Sequence, residues 1–151
     1  MSGDKMKNNT YKFVCEFMKK FPKTIAFRVK KHAQVVNIHL NKDEKVIYAF
    51  CGQNNISSLM IINSCVVALT NQRILIGQKK LFWGYFFTTI TPDLYNDLKV
   101  RKNLIWSDIE IDTVKENIYI SNLDPRGAIE IENIISNFMM KEKQKYGKRE
   151  K

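Results

Sequence analysis

Asp108, Glu110 and Asp112 alternate with Ile109 and Ile111. On a strand this spacing sets three carboxylates on one face. Such a row offers oxygen ligands to a divalent cation and, with a metal bound, a route to hydrolysis. No glycine-shaped loop and no further ligand accompanies it, so it reads as a solvated sheet face that also discourages edge-to-edge pairing. His32 and His39 are seven residues apart and would share a helix face, whereas paired ligands on a helix usually sit four apart; they read as solvated or interfacial. Cys15, Cys51 and Cys65 are far apart and form no CxxC, which reads as three reduced, mostly buried thiols. A zinc site joining Cys15 to His32 or His39 fits no known ligand spacing. GxSxG, P-loop and GxGxxG motifs are all missing from the sequence. Neither a catalytic residue nor a cofactor is expected, and a metal-dependent enzyme on the acidic strand is kept as a distant alternative.

Binding chemistry is better represented. Lys79 and Lys80 stand beside Leu81, Phe82, Trp83 and Tyr85. Bases next to exposed aromatics dock on lipid or on a partner protein. The competing reading turns those aromatics into the core. Phe82 and Trp83 are adjacent, so on a regular strand they face opposite ways and one of them is expected at the surface. A second stripe, Tyr11, Val14, Met18 and Phe21, recurs at helical spacing among lysines. It suits a helix packed on its own domain or on a sister subunit; a basic helix lying on a membrane has the same pattern. Arg73 is expected to pair with a nearby carboxylate or carbonyl.

The 151 residues carry a net charge of +10. Residues 1–31 hold nine bases and two acids, residues 141–151 six bases and two acids, and the stretch between them is close to neutral. The ends, not the body, are basic, which argues against a specific nucleic-acid binder and leaves weak contact of the ends with anionic membranes open. The longest apolar runs fall short of the ~20 residues a spanning helix needs, and the N-terminus lacks a signal-peptide pattern, so a cytoplasmic location is expected.

These residues must be positioned by short elements. Helices are predicted over Asp4 to Phe21 and Lys23 to His39, with Pro22 between them. Strands follow at Lys45 to Cys51, at Leu59 to Gly77 as a hairpin turning on Thr70-Asn71, at Leu81 to Thr91, at Asp97 to Lys102 with Leu104 to Thr113, and at Val114 to Asn122. The hairpin's first strand is apolar on both faces, which demands cover on both sides. Asp124-Pro125 opens a final helix as N-cap and first residue, with Ile131, Ile134, Ile135 and Phe138 as its apolar face and Met139 at its edge. Short strands without crossover helices make an antiparallel sheet.

Glu44 to Tyr48, Val67 to Leu75, Ile90 to Asp93, Ile111 to Glu116 and Ser121-Asn122 resemble the bacterial pleckstrin-homology-like domains, especially the YokE-like branch; the resemblance covers about Pro22 to Lys145. It implies an α+β, mostly β fold: a split barrel of about seven antiparallel strands capped by a C-terminal helix, here preceded by two N-terminal helices. The expected division is an N-terminal helical extension (1–40), the PH-like domain (41–140) and a basic tail (141–151). The resemblance also implies a non-enzymatic module, several of whose relatives form rings or other oligomers. Eukaryotic phosphoinositide sites place bases around the loop after strand one; Gly52 to Ser58 contains none, so specific phosphoinositide binding is not expected. The partner is expected to be a protein or a second copy of the chain.

Overall fold

The computed structural model describes residues 9–54 and 63–149. Its elements are α1 (Thr10–Lys20), α2 (Val29–Ile38), β1 (Val46–Gln53), β2 (Ser64–Thr70), β3 (Ile74–Lys79), β4 (Tyr85–Ile90), β5 (Tyr95–Lys102), β6 (Ser107–Thr113), β7 (Asn117–Leu123) and α3 (Pro125–Arg149). The strands run in the order β4-β3-β2-β1-β7-β6-β5. Every pairing is antiparallel. Among the described residues the four-stranded and three-stranded meanders are joined at the pair Gln53 and Ser121.

All seven residues of β2 are buried, and the two apolar faces have different partners. Cys65, Val67 and Leu69 join the core that α3 fills with Ile131, Ile135 and Met139. Val66 and Ala68 face Val14 of α1 and Ala33 and Val36 of α2. The N-terminal helices therefore cover the outer side of the first meander, while α3 caps the inside. At about 1.5–3 kcal/mol for each fully buried aliphatic side chain, both clusters matter to stability.

Asp124 caps α3 as its sequence indicates: Oδ1 accepts the Arg126 N–H at 3.1 Å, which satisfies one of the first-turn donors. The buried line on α3 is Ile131, Ile135 and Met139, with Ile134 and Phe138 half-buried at its sides. Lys141 to Arg149 are the last residues of this helix.

The first helix starts at Thr10 among the described residues; Asp4 to Asn8 of its predicted span, Leu59 to Ile62 of the hairpin and Asn55 to Ser58 of the first loop lie outside them. The second helix is shorter than predicted. Residues 22–28 form a strap held by distant groups: Ile25 N–H donates to Asn122 O at 2.9 Å, Gln53 Nε2 to Ile25 O at 2.8 Å, and Phe27 N–H to Ser64 Oγ at 2.8 Å. Trp106 Nε1 donates to Lys23 O at 2.8 Å. The strap thus runs from the β5–β6 turn to the β3–β4 turn across one end of the barrel.

Candidate functional site

The strap, the start of β2 and the β3–β4 turn enclose a cleft of about 460 Å³. Its walls are apolar: Phe27 from the strap, Leu81 from the turn and Phe86 from β4. Asn63, Ser64 and Gln78 add polar groups, and Arg28, Lys79 and Lys80 add positive charge.

Each part has a local cause. The β3–β4 ladder closes at the pair Lys79 and Tyr85. Lys80 N–H donates to Gly84 O at 3.1 Å, and Gly84 takes φ +81°, a left-handed conformation that glycine adopts without a Cβ clash. Leu81, Phe82 and Trp83 are therefore turn residues and not the start of a strand, as the sequence had suggested. Their exposures are 71%, 82% and 82%. The alternation argument for Phe82 and Trp83 does not apply to a turn, and both rings stand in solvent, 6.2 Å apart between centroids. Lys80 Nζ lies 4.4 Å from the centroid of Phe86, over the ring.

Arg28 precedes α2 with φ 56° and ψ 33°. A left-handed non-glycine residue costs on the order of 1 kcal/mol, and the strap that ends at Phe27 holds it there. His32, 3% exposed, lies one turn into α2. Its Nδ1 accepts the Lys79 N–H at 2.8 Å, which puts the ring proton on Nε2 in the neutral form. Burial, helped by the Arg28 charge, pushes its pKa down to about 4. His32 is thus a neutral pin between α2 and the end of β3, not a solvated side chain. His39 stacks on Phe87, 3.8 Å between centroids at 8°, with Nδ1 2.7 Å from Val35 O.

The structure brings Lys79 and Lys80 to the cleft and Phe82 and Trp83 to the adjoining tip. It puts the other predicted stripe elsewhere. Val14 and Phe21 are buried within the chain's own core, Met18 packs at the edge of the α1–α2 cluster, and Tyr11 is at the surface, with Lys30 Nζ 5.9 Å from its ring centroid. Sequence reasoning missed Phe27, Arg28 and Phe86, which join the site through the strap and the edge strand. Arg73 pairs with the fully buried Glu44, Nη2 to Oε1 at 2.9 Å and Nε to Oε2 at 3.0 Å. Among the described residues no group of three His, Cys, Asp or Glu side chains converges as a metal site would require. Glu110 Oε1 instead accepts from Asn117 Nδ2 at 2.9 Å, and Asp108 Oδ2 from Asn103 Nδ2 at 3.0 Å. Burial pushes the Cys51 thiol up to about 12 and Cys65 higher still, so neither is a nucleophile near neutral pH. No described helix is long and apolar enough to cross a membrane.

A family model for the bacterial PH domain matches residues 40–137, and the chain belongs to that family, in agreement with the resemblance in its sequence. PH-type domains are in general non-catalytic binding modules. Among solved structures, one of a DUF1696 family protein with a pleckstrin-homology domain from Shewanella loihica PV-4 is 12% identical, with a TM-score of 0.46, covering 74% of this chain and 97% of that one. A pleckstrin homology domain from Shewanella amazonensis SB2B is 11% identical, with a TM-score of 0.48, covering 77% of this chain and 91% of that one. No curated protein matches the sequence.

Proposed function

We propose that this protein is a non-catalytic module that binds protein, a second copy of itself or another chain, through the end of the barrel that carries the cleft and the β3–β4 turn. The observation that carries this reading is the pair Phe82 and Trp83, each 82% exposed, beside a cleft walled by Phe27, Leu81 and Phe86. Aromatic residues and arginine are the types that concentrate binding energy at protein interfaces. Water-exposed apolar side chains gathered at one place mark a surface that is covered in use.

Light scattering on a sizing column, at low and high salt, tests the self-docking form. The expected result is an oligomer that survives high salt, because an apolar contact is not screened, and a monomer for the double variant Phe82→Ser, Trp83→Ser. A wild-type monomer at every salt removes self-assembly and leaves a different protein as the partner.

A further inference from the structure

The cleft carries a chemical signature beyond its apolar walls. Arg28, Lys79 and Lys80 border it, and among the described residues no carboxylate does. Among the described residues none of the three cations takes part in an ion pair. Arg73, by contrast, has two carboxylate bonds. Lys80 lies over the face of Phe86, a contact that leaves the N–H donors on the side away from the ring for an acceptor. Three unneutralised bases around one concavity repel one another and attract an anion.

From this we infer that the cleft receives an acidic, apolar peptide segment of a partner protein: an aromatic or aliphatic side chain seated between Phe27, Leu81 and Phe86, with flanking carboxylates on Arg28, Lys79 and Lys80. The inference rests on the protein-binding reading and narrows it to a class of partner. The volume, about 460 Å³, falls within the ~300–1,000 Å³ of ordinary ligand clefts, enough for a side chain and its neighbours. The amides of Asn63 and Gln78 supply directional donors and acceptors for a peptide backbone. A concave pocket with fixed polar groups recognises a discrete side chain, whereas a fluid anionic membrane needs no such pocket. Charge-assisted bonds from guanidinium and ammonium to carboxylate are the strong class at an interface.

Calorimetric titration of the full chain tests the inference with three blocked peptides. The first is acetyl-Asp-Glu-Phe-Asp-Leu-Glu-amide. The second replaces every acid by Lys, and the third keeps the acids and replaces Phe and Leu by Ser. The first is expected to bind, at least tenfold more tightly than either of the others. Lys79→Glu with Lys80→Glu is expected to weaken it at least tenfold; the exposed Lys80→Glu alone, which leaves the His32 pin intact, is expected to weaken it several-fold with unchanged thermal midpoint. Absence of binding by the first peptide, or equal binding of all three, overturns the inference. So does sedimentation with phosphatidylglycerol vesicles that the same variants abolish while no peptide binds; the surface is then a lipid contact. An oligomer that takes no peptide sinks this inference and leaves protein binding standing, so the two failures are distinguishable.

Discussion

Glu44 is fully buried and its two oxygens accept four hydrogen bonds: from Asn41 N–H, Thr70 Oγ1, Arg73 Nε and Arg73 Nη2. Burial alone raises a carboxyl's pKa; the Arg73, Asn41 and Thr70 bonds outweigh it and hold Glu44 below its ordinary value. A depressed carboxylate adds stability that is present above the unfolded pKa and lost as pH falls through the folded one. His32 titrates earlier. Its folded pKa of about 4 lies below the ordinary 6.5, so between those values the unfolded chain takes up a proton that the folded chain refuses. Stability is therefore expected to fall by about 2–3 kcal/mol as pH drops through that window. Urea unfolding of His32→Gln, whose amide oxygen can still accept the Lys79 N–H, is expected to be flat from pH 6.5 to 4.5 and to decline below, where Glu44 and Asp124, both held below the ordinary carboxyl value, protonate. A wild-type slope retained in the variant would mean that another group carries it.

At the scale of elements, α2 lies against β3 as closely as a residue without a side chain allows. A Cβ on Gly77 would stand 2.9 Å from His32 O and 3.0 Å from Val36 Cγ2. Because the nearer atom is backbone, Gly77→Ala must push the helix away, and a loss of about 1–3 kcal/mol in denaturant unfolding is expected. An unchanged midpoint would show that the helix shifts freely. These elements were unequally legible in the sequence. The two apolar faces of β2, the Asp124-Pro125 start of α3 and the acidic-apolar alternation of β6 are local signals, and the structure follows them. The start of α2 is not local. Residues 23–28 lack a breaker, yet Asn122, Gln53 and Ser64, all distant in sequence, bond the backbone at Ile25 and Phe27 and keep the segment out of the helix. Leu81 to Trp83 have strand composition, but the ladder ends at Lys79 and Tyr85, and the left-handed Gly84 makes them a turn. The cleft was half legible for the same reason: Lys79 and Lys80 announce themselves beside aromatics, while Phe27 and Arg28 reach them through the strap.

At the scale of the molecule, the residues ahead of the matched family region are not an appendage. Phe17 and Phe21 belong to the main core, and Val14, Ala33 and Val36 to the second. Tyr48 of β1 donates to Glu130 of α3 at 3.0 Å, and Lys20 of α1 pairs with the same carboxylate. A chain begun at residue 41 would expose Phe50, Ala68 and Leu75 at once. It is expected to be unfolded or aggregated, with amide proton resonances collapsed to the random-coil range; a dispersed spectrum from it would show that the barrel stands without its helices.

The strap across the end of the barrel has an optical consequence. It holds the indole nitrogen of Trp106 on the Lys23 carbonyl, while Trp83 stands in water a turn away from any ladder partner. These are the two tryptophans of the chain, one fixed on the strap and one bare beside the cleft. The protein thus carries its own pair of fluorophores at the end of the barrel proposed to bind: an occupant covering the β3–β4 turn would shield one from a dissolved quencher, and loosening of the strap would change the other, so the two events would write separate signals in a single emission spectrum.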